Sequence, residues 1–503
     1  MVNEPRTIGG SSPLLRYFID YRDPQEISDA LCWNPMDAVD VRALSFLDRE
    51  ELLLGDKVPL TPTADCLKAA ISMRSMALNS LRCRDPATVA GRMLRADLMD
   101  AALCGQDFLH IAPPSGASIL VFDGITGVAK SVTAKHGTRI IGPQAIRHGR
   151  EDSANWVNAT QLTYIMAPMS HDGSRGGLIT NILLSIDREL KTDYAISLPR
   201  KYRTIEKLCG ALIALLHSLY LGLLVIDEIQ LLNLVKSEQA ELMHMLLLSI
   251  MNSGLPTVLI GNPLGFSWLG TYSQIISRIA ERQPIRLHPA GAIPGAKDEW
   301  ETIARGVLGF YVLPDPPLRL AECSDRLKAR SGGIQKFALA LWCNAQRDAQ
   351  YRGKGCIDPG CIDRAYSDSS FNMARPICDG FARKDPILLM PWRSTDIPVD
   401  EYASAWDKPL PQLKDQEHTP SVPANITDGK VPTRRARPKS AASRLKAKET
   451  REANKRAARA ALQESLPPSD MRMDGLKQHA LASFDALKGK KSQGASPISG
   501  VRT

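Results

Sequence analysis

No C-x-x-C pair occurs among the ten cysteines (Cys32, Cys66, Cys83, Cys104, Cys209, Cys323, Cys343, Cys356, Cys361 and Cys378). Cys356 and Cys361 have no second pair with which to complete a zinc site, so the thiols read as reduced and cytosolic. An N-terminal apolar segment is missing as well. Met1 to Arg16 is polar, which sets the expectation that no secretory signal opens the chain. One apolar run, Leu208 to Ile226, has the length of a membrane span and is interrupted by His217, Ser218 and Tyr220. Gly222 splits it and it runs directly into Asp227 and Glu228, so it reads as a buried helix followed by a buried strand, with no membrane partner. Net positive charge is missing from most of the chain. The whole carries +9, yet Lys430 to Ala460 holds twelve Lys or Arg against Glu449 and Glu452, a local net of +10 that leaves the remainder at −1. The basic character therefore belongs to a tail, which points to nucleic acid or an acidic partner, or to a merely solvated segment.

What the chain does have is a phosphate cradle. Ser118 to Phe122 reads as an apolar strand, and Gly124, Ile125, Thr126, Gly127, Val128 and Ala129 read as a glycine-bearing turn. Lys130, Ser131 and Val132 open a helix. Backbone N–H groups of such a loop converge on the phosphates of a nucleotide, Lys130 adds a point charge, and the Ser131 hydroxyl is placed to ligate Mg²⁺. Gly124 and Lys130-Ser131 fit the G-x-x-x-x-G-K-[ST] frame, but Ala129 stands where its last glycine is expected. A Cβ there narrows the approach of phosphate to backbone, and an ordinary strand-to-helix turn has the same outline. The second half of the site tips the balance. Leu223-Leu-Val-Ile-Asp-Glu228 is a short apolar run ending in two carboxylates, the pattern of a buried parallel strand whose carboxyl end faces a ligand. Asp227 would hold Mg²⁺ through water and Glu228 would polarise an attacking water.

Along the chain, residues 1 to about 60 read as irregular. Asp65 to Arg82 and Pro86 to Leu103 then read as amphipathic helices, the second capped by Asp85 with Pro86 at its first position. From Ile111 onward strands and helices alternate. Strands are expected at 118–122, 161–168, 223–228, 257–262 and 285–288, and helices at 177–190, 202–220, 237–251 and 274–281. Such alternation implies a five-stranded parallel sheet covered on both faces. Asp298 to Asp348 turns all helical, with Ser331-Gly-Gly-Ile-Gln-Lys336 starting the last helix. The expected division is an N-terminal, partly helical extension (1–110), a nucleotide-binding core (111–290), a small helical lid (291–350), a weakly patterned extension (351–408), and a Pro-rich linker with the basic tail (409–503). Six prolines between Pro409 and Pro438 and few apolar residues mark this last part as disordered by composition.

A five-strand nucleotide core followed by a helical lid is the plan of the AAA+ P-loop NTPases, an α/β fold. Three stretches resemble a particular branch of it: Gln161-Leu-Thr-Tyr-Ile-Met-Ala-Pro-Met-Ser-His-Asp-Gly-Ser174 with Gly177-Leu178, Leu190-Lys-Thr-Asp-Tyr194, and Ile226-Asp-Glu-Ile-Gln-Leu-Leu-Asn233. They look like the TnsC/TniB type of transposition ATPase, and the likeness covers roughly Ile111 to Gln350. The Pro-x-x-x-Asp-Gly-Ser part is its most specific element, because ATP chemistry does not require it. The resemblance implies a bacterial, cytoplasmic ATPase that forms a homo-oligomeric ring or filament on double-stranded target DNA with ATP and Mg²⁺. It would receive a target-selection protein of the TnsD/TniQ type and recruit transposase subunits of the TnsA/TnsB type. By the same resemblance Lys130 and Ser131 bind phosphate and Mg²⁺, Asp227 and Glu228 are the Mg²⁺ and water residues, and Asn262 senses the γ-phosphate. Arg278 is the arginine finger that reaches a neighbouring subunit, with Arg282 as runner-up. Lys336 stands where related lids carry a sensor arginine.

For DNA contact the candidates are Lys135, Arg139, Arg147, His148 and Arg150, which follow the cradle, or else form a solvated basic loop. Aromatic residues make up 6% of the chain and only Trp156 lies nearby, so backbone contact is favoured over base stacking. Two other functions stay open: a nucleotide-gated DNA scaffold that turns over little ATP because of Ala129, and an initiator-type AAA+ replication protein. An initiator should carry a winged-helix domain after the lid, and the sequence shows none.

Overall fold

Strand β1 (Ile119–Gly124) is buried along its whole length, and its side chains divide between two cores. Ile119 and Val121 enter one, Leu120 and Phe122 the other. A strand apolar on both sides needs a helical layer on each face, and the rest of the fold supplies them. The computed structural model describes residues 12–55, 58–105, 111, 118–234, 237–266 and 283–410.

Six more strands follow: β2 (Ala145–His148), β3 (Ala159–Leu162), β4 (Tyr164–Pro168), β5 (Leu223–Asp227), β6 (Thr257–Gly261) and β7 (Ile285–Leu287). The main sheet has the order β4-β5-β6-β1-β7, parallel throughout. Because β6 separates β1 from β5, the chain reverses its direction of winding there, and the carboxyl ends of β1 and β5 flank a crevice. On one face lie the helices Arg175–Leu190, Ile205–Ser218 and Ser237–Asn252, whose Leu178, Ile182, Leu212 and Ile250 are fully buried. On the other lie Ala64–Cys83, with Met73, Met76 and Leu81, and the cradle helix Lys130–Arg139. The apolar run 208–226 divides as expected into helix and strand, and no helix among the described residues is long and apolar enough to cross a membrane.

Several expectations need correction. The stretch before residue 60 is not irregular. Asp23 caps Pro24–Leu31, and a capping box between Ser45 and Asp48 starts Phe46–Leu54. The helix expected from Pro86 begins at Val89 with Thr88 as its cap, because Asp85 accepts from Ala87 N–H and closes a turn instead. The run 161–168 is not one strand. Thr163 breaks it by bonding back to Pro143 and Gln144, so that β3 pairs antiparallel with β2 as a separate hairpin while β4 joins the sheet. A short helix, Tyr194–Lys201, precedes Ile205–Ser218. The helix expected at 274–281 lies outside the described residues.

The lid helices Trp300–Gly309, Leu320–Ser331 and Gln335–Tyr351 close around Leu327, Leu341 and Trp342. Residues 357–408, weakly patterned in sequence, continue this helical layer as Pro359–Ser367, Arg375–Ala382, Pro386–Leu389 and Val399–Ala405. Cys361, Phe371 and Cys378 join the lid core, whereas Ile397, Val399, Tyr402 and Trp406 return to the core beneath the sheet. The expected linker and basic tail from Pro411 onward lie outside the described residues.

Candidate functional site

The cradle forms with the left-handed kinks its task requires. Gly124 has φ 156° and Gly127 φ 95°, and a Cβ on Gly124 would stand 2.6 Å from the Leu287 carbonyl oxygen. Ala129 is itself left-handed, at φ 68°, as the cap of the cradle helix. An L-residue pays roughly 1 kcal/mol for that conformation, so the loop keeps its shape despite the missing glycine. Ile125 and Val128 bury their side chains in the core, which leaves only their backbone to face a ligand.

Lys130 folds back over this loop. Its Nζ donates to Gly124 O at 2.7 Å, to Ile125 O at 2.8 Å and to Asn262 Oδ1 at 3.2 Å. Burial pushes its pKa down, and Asp396, Asp227, Glu228 and Asp123 oppose that shift. A cavity of about 280 Å³ opens here, lined by Thr126, Gly127, Ala129, Lys130, Ser131, Val132, Asp227, Glu228, Asn262 and Lys336. Strands β1, β5 and β6 thus bring the expected phosphate, Mg²⁺, water and sensor residues to one place. Among the described residues no three His, Cys, Asp or Glu side chains gather as a metal cage. The donor set fits Mg²⁺, which takes one or two protein oxygens, here Ser131 and Asp227, and fills its shell with phosphate oxygens and water.

Glu228 ends β5 in a left-handed conformation, φ 62°, and its N–H donates to Asp227 Oδ1 at 2.8 Å. Gln230 ties this corner together. Its Nε2 donates to Glu228 Oε2, and its Oε1 accepts from Asn262 N at 3.2 Å. Glu228 and Asn262, the expected water-activating and sensor residues, are therefore coupled through one amide side chain, which the sequence reading passed over. Val58 adds an apolar side chain to the cavity lining, and Gln335 Nε2 donates to the neighbouring Pro59 O at 3.2 Å, joining the lid to that segment. Lys336 is exposed on the cavity rim, and its backbone N–H donates to Gly127 O at 3.0 Å. The start of the lid's last helix is thereby bonded to the phosphate loop.

Two further acids surround the loop unforeseen. Asp123 is buried against Arg286 of β7, whose guanidinium bonds it at 2.7–3.0 Å and also reaches Glu401. Asp396 accepts from Thr126 N–H at 3.3 Å through either oxygen. Arg278 and Arg282 lie outside the described residues.

Of the DNA candidates four are exposed and one is buried. Lys135 and Arg139 sit one turn apart on the exposed side of the cradle helix, and Arg147 and Arg150 are exposed on the β2–β3 hairpin, where Arg150 pairs with Asp152. His148 is a packing residue instead. It is buried, bonded to Gln161 Oε1 at 2.8 Å and stacked on Tyr17 and Trp156, and burial lowers its pKa. Enclosed in this way, the imidazole is held away from solvent. Trp156 is also engaged, donating to Tyr220 OH at 3.1 Å.

The fold and the cavity together define an α/β fold with a P-loop-like cradle at the carboxyl end of a five-stranded parallel sheet. Residues 112–267 match the family described as AAA domain. No protein with a curated description matches the chain. Among solved structures it is similar to the Aeropyrum pernix ORC2 protein in its ADPNP-ADP complexes, at 13% identity and a TM-score of 0.39, covering 63% of this chain and 71% of that one. Drosophila ORC bound to DNA gives 13% identity and 0.35, covering 75% and 82%. The Thermotoga maritima RuvB Holliday junction branch migration motor gives 15% and 0.27, covering 63% and 80%. None of these likenesses bears on substrate or partner.

Ala129 offers a direct test of the cradle. Ala129→Gly removes the Cβ from the cavity wall and the left-handed strain, while the freer unfolded chain costs about 0.4–1 kcal/mol. Melting should therefore change little. Nucleotide affinity, read by titration, should rise several-fold, and an unchanged affinity would show that the Cβ does not obstruct the phosphates.

Proposed function

We propose that this chain is an ATP-hydrolysing, DNA-dependent AAA+ regulator of transposition, which assembles on target DNA and links a target-selection protein to a transposase. The ATPase part rests on the cavity that joins Lys130, Ser131, Asp227, Glu228 and Asn262. When bound, ATP with Mg²⁺ supplies the phosphoryl group. Lys130 and the loop amides hold its phosphates, Ser131 and Asp227 hold the ion, and Glu228 takes the proton of the attacking water.

The transposition part rests on the stretch 168–177, which resembles the TnsC/TniB type and which nucleotide chemistry does not need. Here it is a built feature of the sheet's ligand end. Ser174 caps the helix Arg175–Leu190, Ser170 Oγ donates to Ser174 O at 2.9 Å, and Asn181 donates to Pro168 O at 3.0 Å. Met169 N–H donates to Asp227 O at 2.7 Å, tying the stretch directly to β5. His171 and Asp172 stand exposed at its tip, available to a partner or a neighbouring subunit.

A second reading, a low-turnover nucleotide-gated scaffold, rests on the Ala129 Cβ that stands in the cavity wall. Hydrolysis measured with and without double-stranded DNA separates the two, since the regulator should be stimulated by DNA and the scaffold should not. Removing the Pro-rich linker and basic tail, residues 409–503, should leave DNA-stimulated hydrolysis intact and abolish transposase recruitment. If the tail grips DNA instead, each lost phosphate contact flattens the slope of log affinity against log salt by about 0.9.

A further inference from the structure

Asp396 reaches the phosphate loop from nearly the end of the described chain, and its position is fixed from several sides. The backbone N–H groups of Thr395, Asp396 and Ile397 all donate to Trp392 O, at 3.2, 3.0 and 3.0 Å, which turns the chain sharply under the loop. Arg393 clamps Asp400 at 2.9 and 2.6 Å. Ile397 and Val399 are fully buried, Trp406 Nε1 donates to Ala292 O at 2.6 Å, and Glu401 bonds the Arg286 that holds Asp123. The carboxylate that results lies on Thr126 N–H. Thr126 adjoins Ile125, whose carbonyl carries the Lys130 ammonium, so this amide belongs to the β/γ end of the cradle.

We propose that Asp396 is a specificity residue of the nucleotide site: its carboxylate holds the Thr126 amide beside Lys130 and disfavours a triphosphate more than a diphosphate, so that ATP must displace it to seat its γ-phosphate. This rests on the nucleotide reading above. Burial raises the pKa of Asp396, with the Thr126 bond and Lys130 pulling the other way, and Asp396 heads the acids that act on Lys130. A diphosphate ends before this amide and meets little of the charge. The γ-phosphate arrives against it, and like charges a few ångströms apart in a half-buried site move an affinity by about an order of magnitude.

Asp396→Asn keeps an acceptor for Thr126 N–H and removes the charge, while Asp396→Ala removes both. In titrations of the full chain with fluorescent ATP and ADP analogues, both variants should bind the triphosphate about tenfold tighter, about 1.4 kcal/mol, with much less change for the diphosphate. The gain should shrink as salt rises. Both nucleotides binding with an unchanged ratio in both variants would overturn the proposal alone. Binding of neither nucleotide to the wild type and the variants would overturn it together with the nucleotide reading.

Discussion

Lys130→Ala should abolish most nucleotide binding while leaving the fold in place. The ammonium donates to the loop carbonyls of Gly124 and Ile125 and to Asn262 Oδ1. A hydrogen bond to a charged group contributes about 1.5–3 kcal/mol, and phosphates held by this one would lose about 40-fold in affinity at the middle of that range. The fold should tolerate the change, because the released carbonyls border an open cavity and water can replace the donor. The measurement is a melting curve with and without nucleotide. A ligand that binds only the native state raises the melting temperature as its concentration exceeds Kd, so the wild type should shift and the variant should not. A variant that melts as the wild type does in both conditions would remove Lys130 from the site.

The central strands were legible because burial on both faces writes itself as uninterrupted apolar residues. Ile119–Gly124, Leu223–Asp227 and Thr257–Gly261 are runs of that kind. The helices of 14 residues or more on the sheet faces carried a clear period for the same reason. Short elements did not. Pro24–Leu31, Tyr194–Lys201 and Arg375–Ala382 have 8 residues each, about two turns, too few to establish a period. The starts of some short helices were nonetheless written in the chain, as Asp23 is for Pro24–Leu31. Asp358-Pro359 and Asp385-Pro386 are true caps with Pro at the first helical position, whereas Asp85-Pro86, which has the same letters, closes a turn. Only the residues that follow decide between the two, through Thr88, a better-placed cap three residues on.

The site was legible in proportion to its locality. Lys130 and Ser131 stand in one loop and Asp227 and Glu228 on one strand end, so spacing alone located them. Gln230 escaped because its role depends on Asn262, 32 residues away in sequence, and Asp396 because its partner Thr126 is 270 residues away. His148 misled in the other direction. It follows Arg147, but strand alternation sends neighbouring side chains to opposite faces, so Arg147 points out and the histidine points in, while Arg150 lies beyond the end of β2.

Glu228→Gln should separate binding from turnover. The substitution keeps the shape and one acceptor oxygen, so the contact with Gln230 survives and, through it, the position of Asn262. None of the phosphate-holding groups changes, and affinity for ATP should stay within a few-fold of the wild type. What is lost is a carboxylate able to take a proton from water, and general-base catalysis of that kind accounts for about 10²- to 10⁴-fold in rate. Turnover should fall by that factor while ATP-dependent assembly on DNA persists or grows more durable, since the triphosphate state no longer decays. Gln230→Ala supplies the internal control. It leaves the base in place but frees both Glu228 and Asn262, so turnover should drop by less. Equal turnover in Glu228→Gln and the wild type would exclude Glu228 as the base and leave the other cavity-lining acid, Asp227, to be tested in that role.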